Sequence, residues 1–316
     1  MSPELIAPIM FGTLVVVLLA GFPVAFSLAA VAAVFGITGV LVGQFTAPFL
    51  LNMPLRVQGV FNSDNFLAIP MFVLMGLILE RTGIAEDTLI ALGRLFRKQP
   101  GGLLVATLAL GSMLSAITGF VSASVITMGL IALPTMLKAG YDPKLATGSI
   151  AAAGTLAQML PPSLVLIVLA EQVEVPLVEI FHAALLPSAM LVGLYLVYVV
   201  SIARWRPGFA PPMAEVAAVS SNAWKEAAVA AGVPMLLILT ILTAIFFGVA
   251  TPTEGGAVGV CASLLIGLAK RRLGRQQLAD ALTNTGVLCS SVIFLLLGAS
   301  FFTLVFRGFD GQVWIE

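Results

Sequence analysis

Eight small or hydroxylated residues crowd the middle of one uncharged run, from 99 to 137: Ser112, Ser115, Thr118, Gly119, Ser122, Ser124, Thr127 and Gly129. Hydroxyl and carbonyl oxygens at such density can replace the water shell of a cation or hold a carboxylate. A second run, from 145 to 170, contains Gly154, Thr155, Gln158, Pro161, Pro162 and Ser163. There the first proline removes a backbone donor and the second disfavours helical geometry at the residue before it. Backbone groups freed inside a membrane must find partners in protein, water or an ion, which is why broken helices mark substrate and ion sites in secondary transporters. Glu254 is the one carboxylate inside a long apolar region, at the turn Thr251-Pro252-Thr253-Glu254. An intramembrane acid is a functional candidate; a helix start capped by Thr251 or Thr253, with a structural or gating role, is the alternative.

Each of these features also has a plainer explanation. Residues 112, 115, 119 and 122 share a face at helical spacing, so the hydroxyl patch also fits a small-residue packing stripe. The proline pair also fits a simple kink. His182, the single histidine, stands at a span entrance and takes no role. Cys261 and Cys289 lack a CxxC spacing and read as small buried hydrophobes. A serine, aspartyl or zinc enzyme would need a base, paired aspartates or clustered ligands within the apolar runs, and the sequence offers none of these. No enzyme and no transition-metal site is expected.

The elements that position these residues are membrane spans. The chain has 316 residues, 60% hydrophobic and 9% charged, with a mean hydropathy of +1.11, against about 25% charged in soluble domains. Fifteen basic and fifteen acidic residues cancel, so no net field favours nucleic acid. Charge-free runs cover 5 to 55, 65 to 79, 99 to 137, 145 to 170, 180 to 203, 227 to 253, 255 to 269 and 281 to 306. With no alternating barrel pattern, all of them are expected to be helical. The acidic N-terminus reads as a retained first span, not a signal peptide.

Basic clusters place the cytoplasmic ends. Arg94, Arg97 and Lys98 precede the hydroxyl-rich run and Lys138 and Lys144 follow it, so it begins and ends on one side. Two full spans plus a turn fit tightly into that length, and a re-entrant hairpin over about 100–137 satisfies the same charges. A broken helix over about 145–170 then leads outward, and a span over 180–205 returns. Residues 83–98 read as an amphipathic arm lying at the interface.

Gly21-Phe22-Pro23-Val24-Ala25-Phe26 resembles Ala250-Thr251-Pro252-Thr253-Glu254-Gly255, and Phe72–Gly76 is matched by Phe294–Gly298. The pattern predicts two inverted repeats: residues 1–205, a cytoplasmic loop over 206–224, and an incomplete second repeat over 225–316. By this pattern roughly 100 further residues would complete the second half.

Four motifs together carry a family resemblance over essentially the whole chain. They are Thr118-Gly119; Leu133-Pro134-Thr135-Met136 with Gly140-Tyr141-Asp142; Gly154-Thr155-Leu156 with Leu160-Pro161-Pro162-Ser163; and Ala250-Thr251-Pro252-Thr253-Glu254. With them the sequence resembles the large membrane subunit of tripartite ATP-independent periplasmic (TRAP) transporters, in the longer-chain subgroup. The resemblance implies an all-α polytopic membrane protein of the inverted-repeat elevator type, with re-entrant hairpin and broken helices. It implies sodium-coupled uptake of a small carboxylate (C4-dicarboxylate, 2-oxo acid or sugar acid) across the bacterial inner membrane. The implied partners are a periplasmic binding protein and a small membrane subunit; sodium is the coupling ion and no cofactor is implied. Carried onto this chain, a sodium and substrate site would use Ser115, Thr118, Gly119 and Ser122 at the hairpin tip. The break would add Gly154, Thr155, Gln158, Pro161, Pro162 and Ser163. A glycine common in the family after Gly-Thr-Leu is Ala157 here. The alternative is an inactive transporter remnant or a noncatalytic membrane scaffold.

Overall fold

The computed structural model describes residues 5–62, 64–96, 98–118, 121–173, 175–212 and 223–315, and every regular element among them is helical. The chain opens with α1 (Ile6–Leu19), α2 (Val24–Leu41), α3 (Ala47–Leu50) and α4 (Asn52–Phe61). It continues through α5 (Asp64–Arg81), α6 (Ile84–Phe96), α7 (Gly102–Thr118) and α8 (Val121–Lys138). Next come α9 (Pro143–Thr155), α10 (Leu164–Val173) and α11 (Leu177–Trp205). The last are α12 (Ala223–Phe246), α13 (Pro252–Ala269), α14 (Arg275–Gly308) and α15 (Gly311–Ile315).

Five of these are long and apolar enough to cross a bilayer among the described residues: α2, α11, α12, α13 and α14. The protein is an all-α polytopic membrane protein. Large apolar side chains on these helices, such as Leu186, Val197, Leu236 and Leu265, are exposed. Such a surface suits lipid, which is as apolar as the side chains themselves.

Two compact units are present, Met1–Phe66 with Gly286–Glu316, and Leu67–Thr285. The first is built on Met10, Leu14, Val31, Phe45, Val305, Phe306 and Phe309. Gly39 makes room there: a β-carbon on it would lie 2.5 Å from the Phe45 ring and 2.9 Å from Phe309. The released space lets Phe45 stack on Phe49, with ring centroids 4.6 Å apart.

In the second unit a glycine stripe on α13 does the equivalent work. A β-carbon on Gly256 would lie 2.7 Å from Met71, and one on Gly259 would lie 2.5 Å from Met75 and 2.9 Å from Ile241. Helices α5 and α12 therefore approach α13 closely, as small residues permit between membrane helices. The stripe takes the inward face, so Cys261 is exposed; Cys289, on α14, is partly covered, where the sequence led us to expect two buried residues.

The arm, α6, packs on α7 and α12. Its first-turn Asp87 is gripped by Lys270 Nζ at 2.9 Å and Arg272 Nη1 at 3.0 Å, and Arg94 pairs with Glu226 at 3.3 Å. Partial burial pushes the Asp87 carboxyl up, but the hydrogen bonds and charges of Lys270 and Arg272 outweigh it and hold the group below the usual carboxylate range.

Helices α2 and α13 begin and end at a constant offset of 228 residues, from Val24 to Pro252 and from Leu41 to Ala269. Their closing turns match bond for bond. Val42, Gly43 and Gln44 donate to the carbonyls of Thr38, Val40 and Gly39; Lys270, Arg271 and Arg272 donate to those of Ile266, Leu268 and Gly267. Gly43 and Arg271 are both left-handed, with φ of 78° and 54°. The prolines paired by sequence differ by one helical position: Pro23 is the N-cap of α2, whereas Pro252 is the first residue of α13, after Thr251.

Candidate hairpin and helix-break site

Helix α9 starts on a well-made cap: Asp142 Oδ1 accepts from the N–H of Lys144 at 2.9 Å and of Leu145 at 3.1 Å, with Pro143 supplying a preset first turn. It ends at Thr155 and tightens into a 3-10 turn over Leu156–Gln158; α10 restarts only at Leu164. The prolines explain the gap. Pro161 and Pro162 lack the N–H groups that would bond the carbonyls of Ala157 and Gln158 in a continuing helix. Ser163 replaces one of them, its Oγ donating to Gln158 O at 2.9 Å. The same oxygen accepts from Val165 N–H at 3.2 Å and so caps α10. Met159 O is met from another helix, by Ser188 Oγ of α11 at 2.7 Å; that hydroxyl also lies 2.6 Å from Ala184 O.

The two limbs α7 and α8 clasp α9 where it ends. A β-carbon on Gly111 of α7 would lie 2.5 Å from Ala153 Cβ, and one on Gly154 would collide with Val125 Cγ2 of α8. The turn Leu156–Gln158 packs against both limbs. Thr127 of α8 donates to Glu80 Oε1 at 2.7 Å, and Leu103 N–H of α7 donates to the buried Tyr141 hydroxyl at 3.3 Å, tying each limb to a neighbouring segment.

Ser115 and Thr118 fall in the last turns of α7 and Ser122 in the first turn of α8, where it is exposed. Gly119 and the side chains of Ser115 and Thr118 lie outside the described residues. At the break, Gly154, Pro161, Pro162 and Ser163 are buried, while Thr155 and Gln158 are exposed. Thr155 Oγ1 donates to Ala152 O at 2.8 Å. A hydroxyl whose proton is committed to a carbonyl presents only lone pairs outward, the polarity a cation requires. The N-termini of α8 and α10 carry the opposite polarity, suited to an anion.

Thr251 and Glu254 have a local structural task. They form a reciprocal capping box on α13: Glu254 N–H donates to Thr251 Oγ1 at 3.2 Å, and Thr251 N–H donates to Glu254 Oε2 at 2.8 Å. Pro252 opens the helix and Thr253 lies in its first turn. His182 is exposed, its ring 4.2 Å from that of Phe246. Glu80, Val125 and Ser188 escaped the sequence reading, although Ser188 carries a local signal in the preceding Pro187, a proline inside α11.

The family described as tripartite ATP-independent periplasmic transporter, DctM component, matches residues 11–315. The chain belongs to the TRAP DctM family. It is 28% identical over 272 residues to the C4-dicarboxylate TRAP transporter large permease protein of Pseudomonas aeruginosa, covering 85% of this chain and 62% of that protein. With the ectoine/5-hydroxyectoine TRAP transporter large permease protein of Ruegeria pomeroyi the identity is 27%, covering 93% of this chain and 66% of the relative. A Vibrio cholerae C4-dicarboxylate TRAP large permease is 34% identical over 208 residues, covering 64% of this chain and 44% of the relative. The chain thus spans under two thirds of the length of the Pseudomonas protein. In this TRAP chain the hairpin limbs, the break and Ser188 form one packed assembly.

Proposed function

We propose that this chain forms part of a large TRAP permease that takes a small carboxylate from a periplasmic binding protein and moves it inward with sodium. The carrying observation is the clasp of α9 by α7 and α8 through Gly111 against Ala153 and Gly154 against Val125, which brings the break at Leu156–Ser163 beside both limbs. A cation would be taken by the Thr155 oxygen and by carbonyls at half-helix ends, a carboxylate by the N-termini of α8 and α10. Ser115, Thr118, Gly119 and Ser122 would complete the site from the hairpin tip, which on this reading is re-entrant. On this reading the chain would hold two repeats of the inverted, elevator type. The working assembly would include a small membrane subunit and sit in the bacterial inner membrane. Inward sodium movement would draw on about 2.3 kcal/mol per charge per 100 mV of membrane potential.

The test is uptake into proteoliposomes by the complete permease with Ser115→Leu or Thr118→Leu. Loss of sodium-dependent uptake with normal membrane insertion is the expected result. Unchanged sodium dependence would remove the hairpin tip from the site.

A further inference from the structure

A slot of about 710 Å³ opens between α9 and the second half of α11, lined by none of the residues assigned above to the hairpin tip or the break. Leu108 of α7 also lines it, and Gly148 adds room: a β-carbon there would meet nothing within 4 Å. Its walls are mostly apolar, with Leu145, Leu194 and Val199 joined by Ser149 and the rings of Tyr195 and Tyr198. One end is different in kind, lined by Lys144, Arg206 and Asp142.

That end is preformed. Asp142 N–H donates to Phe209 O at 2.9 Å and Gly101 N–H to Ala210 O at 2.9 Å, so the turn Pro207–Phe209 is tied to the bases of α9 and α7. The Arg206 guanidinium lies over the Phe209 ring, 5.6 Å from its centre. The Asp142 carboxylate is occupied in capping α9, and among the described residues neither Lys144 nor Arg206 enters an ion pair. Two cations therefore face one engaged anion at the mouth of a greasy slot, beside Arg204 and Trp205, the mixture found where a span meets the cytoplasmic headgroups. Basic pockets between membrane helices on that face hold anionic headgroups.

We propose that this slot is a binding site for an anionic glycerophospholipid, with one acyl chain along Leu145, Gly148 and Val199 and the phosphate between Lys144 and Arg206. A zwitterionic lipid would fill the same apolar walls but bring its own cation to the mouth.

The purified full chain is titrated with dioleoyl-phosphatidylglycerol or dioleoyl-phosphatidylcholine and the adducts are counted by native mass spectrometry. We expect wild type to retain phosphatidylglycerol preferentially. The preference should fall about fivefold for each cation removed in Lys144→Gln and Arg206→Gln, since each cation near an anionic surface is worth about that factor. Gly148→Leu fills the slot without touching its charge, and the open space at that β-carbon means the helix tolerates it; it should lower phosphatidylglycerol adducts equally. Equal retention of the two lipids by wild type, or adducts unaffected by Gly148→Leu, would overturn the proposal. So would displacement of the lipid by excess inorganic phosphate, which would leave a simple anion site.

Discussion

Val125 occupies the space that a side chain on Gly154 would need. The contact couples the second hairpin limb to the last turn before the helix break, so a single methyl group reaches both. Gly154→Ala should destabilise the protein by about 1–3 kcal/mol, the usual cost of overpacking a tight contact. Unfolding of the detergent-solubilised protein measures this. Because the nearest atom is the Val125 side chain, Val125→Ala should restore part of the loss, and a double-mutant cycle would read the coupling directly. Additive effects would mean that the two helices separate easily.

The capping box on α13 separates a structural from an ionic role for Glu254. Thr251→Ala removes an N-cap acceptor and should cost about 1 kcal/mol in unfolding experiments. Glu254→Gln keeps the reach back to Thr251 N–H and should leave both stability and sodium-dependent uptake near wild type. If the glutamine variant folds normally yet loses sodium dependence, Glu254 has a second function.

The grip on Asp87 sets an acid limit for the arm. Folding holds this carboxyl below its unfolded value, so the contribution is complete above the ordinary carboxylate value of about 4 and disappears as pH falls through the lowered folded value. Hydrogen exchange in α6 should therefore accelerate only in that acidic window. In Asp87→Asn the acceleration is already present at neutral pH, at a cost of about 0.2–1 kcal/mol per exposed ion contact.

Arg271 adopts a left-handed conformation that glycine holds at the matched position, Gly43. Arg271→Gly should therefore stabilise the closing turn by up to about 1 kcal/mol, visible as a raised unfolding midpoint. A lowered midpoint would show that the arginine side chain contributes more than its backbone costs.

The helical architecture was legible because charge is expensive inside a bilayer, so the gaps between charges mark the helices. The break was legible from Pro161-Pro162, but its extent was not. It begins at Leu156, because missing proline donors are felt four residues upstream and the helix tightens before it stops. The Thr251–Glu254 cap could be read from spacing alone, since both halves of a capping box are local. Ser188 could not be assigned: it meets Met159 across 29 residues, and nothing nearby in the sequence names its partner. The burial of Cys261 was misjudged for a related reason. Hydropathy marks a helix as membrane-embedded without saying which side faces protein, and on α13 glycines hold that side.

The closing turns of α2 and α13 share a backbone hydrogen-bond pattern, yet one is Val42-Gly43-Gln44 and the other Lys270-Arg271-Arg272. In the first no side chain carries a charge, and in the second all three are cationic. Retention of a loop in the cytoplasm depends on such cations. By that rule the address that tells the insertion machinery where to keep a turn would be written in three side chains laid over a reusable backbone form. Such an address can be rewritten while the form beneath it stays the same.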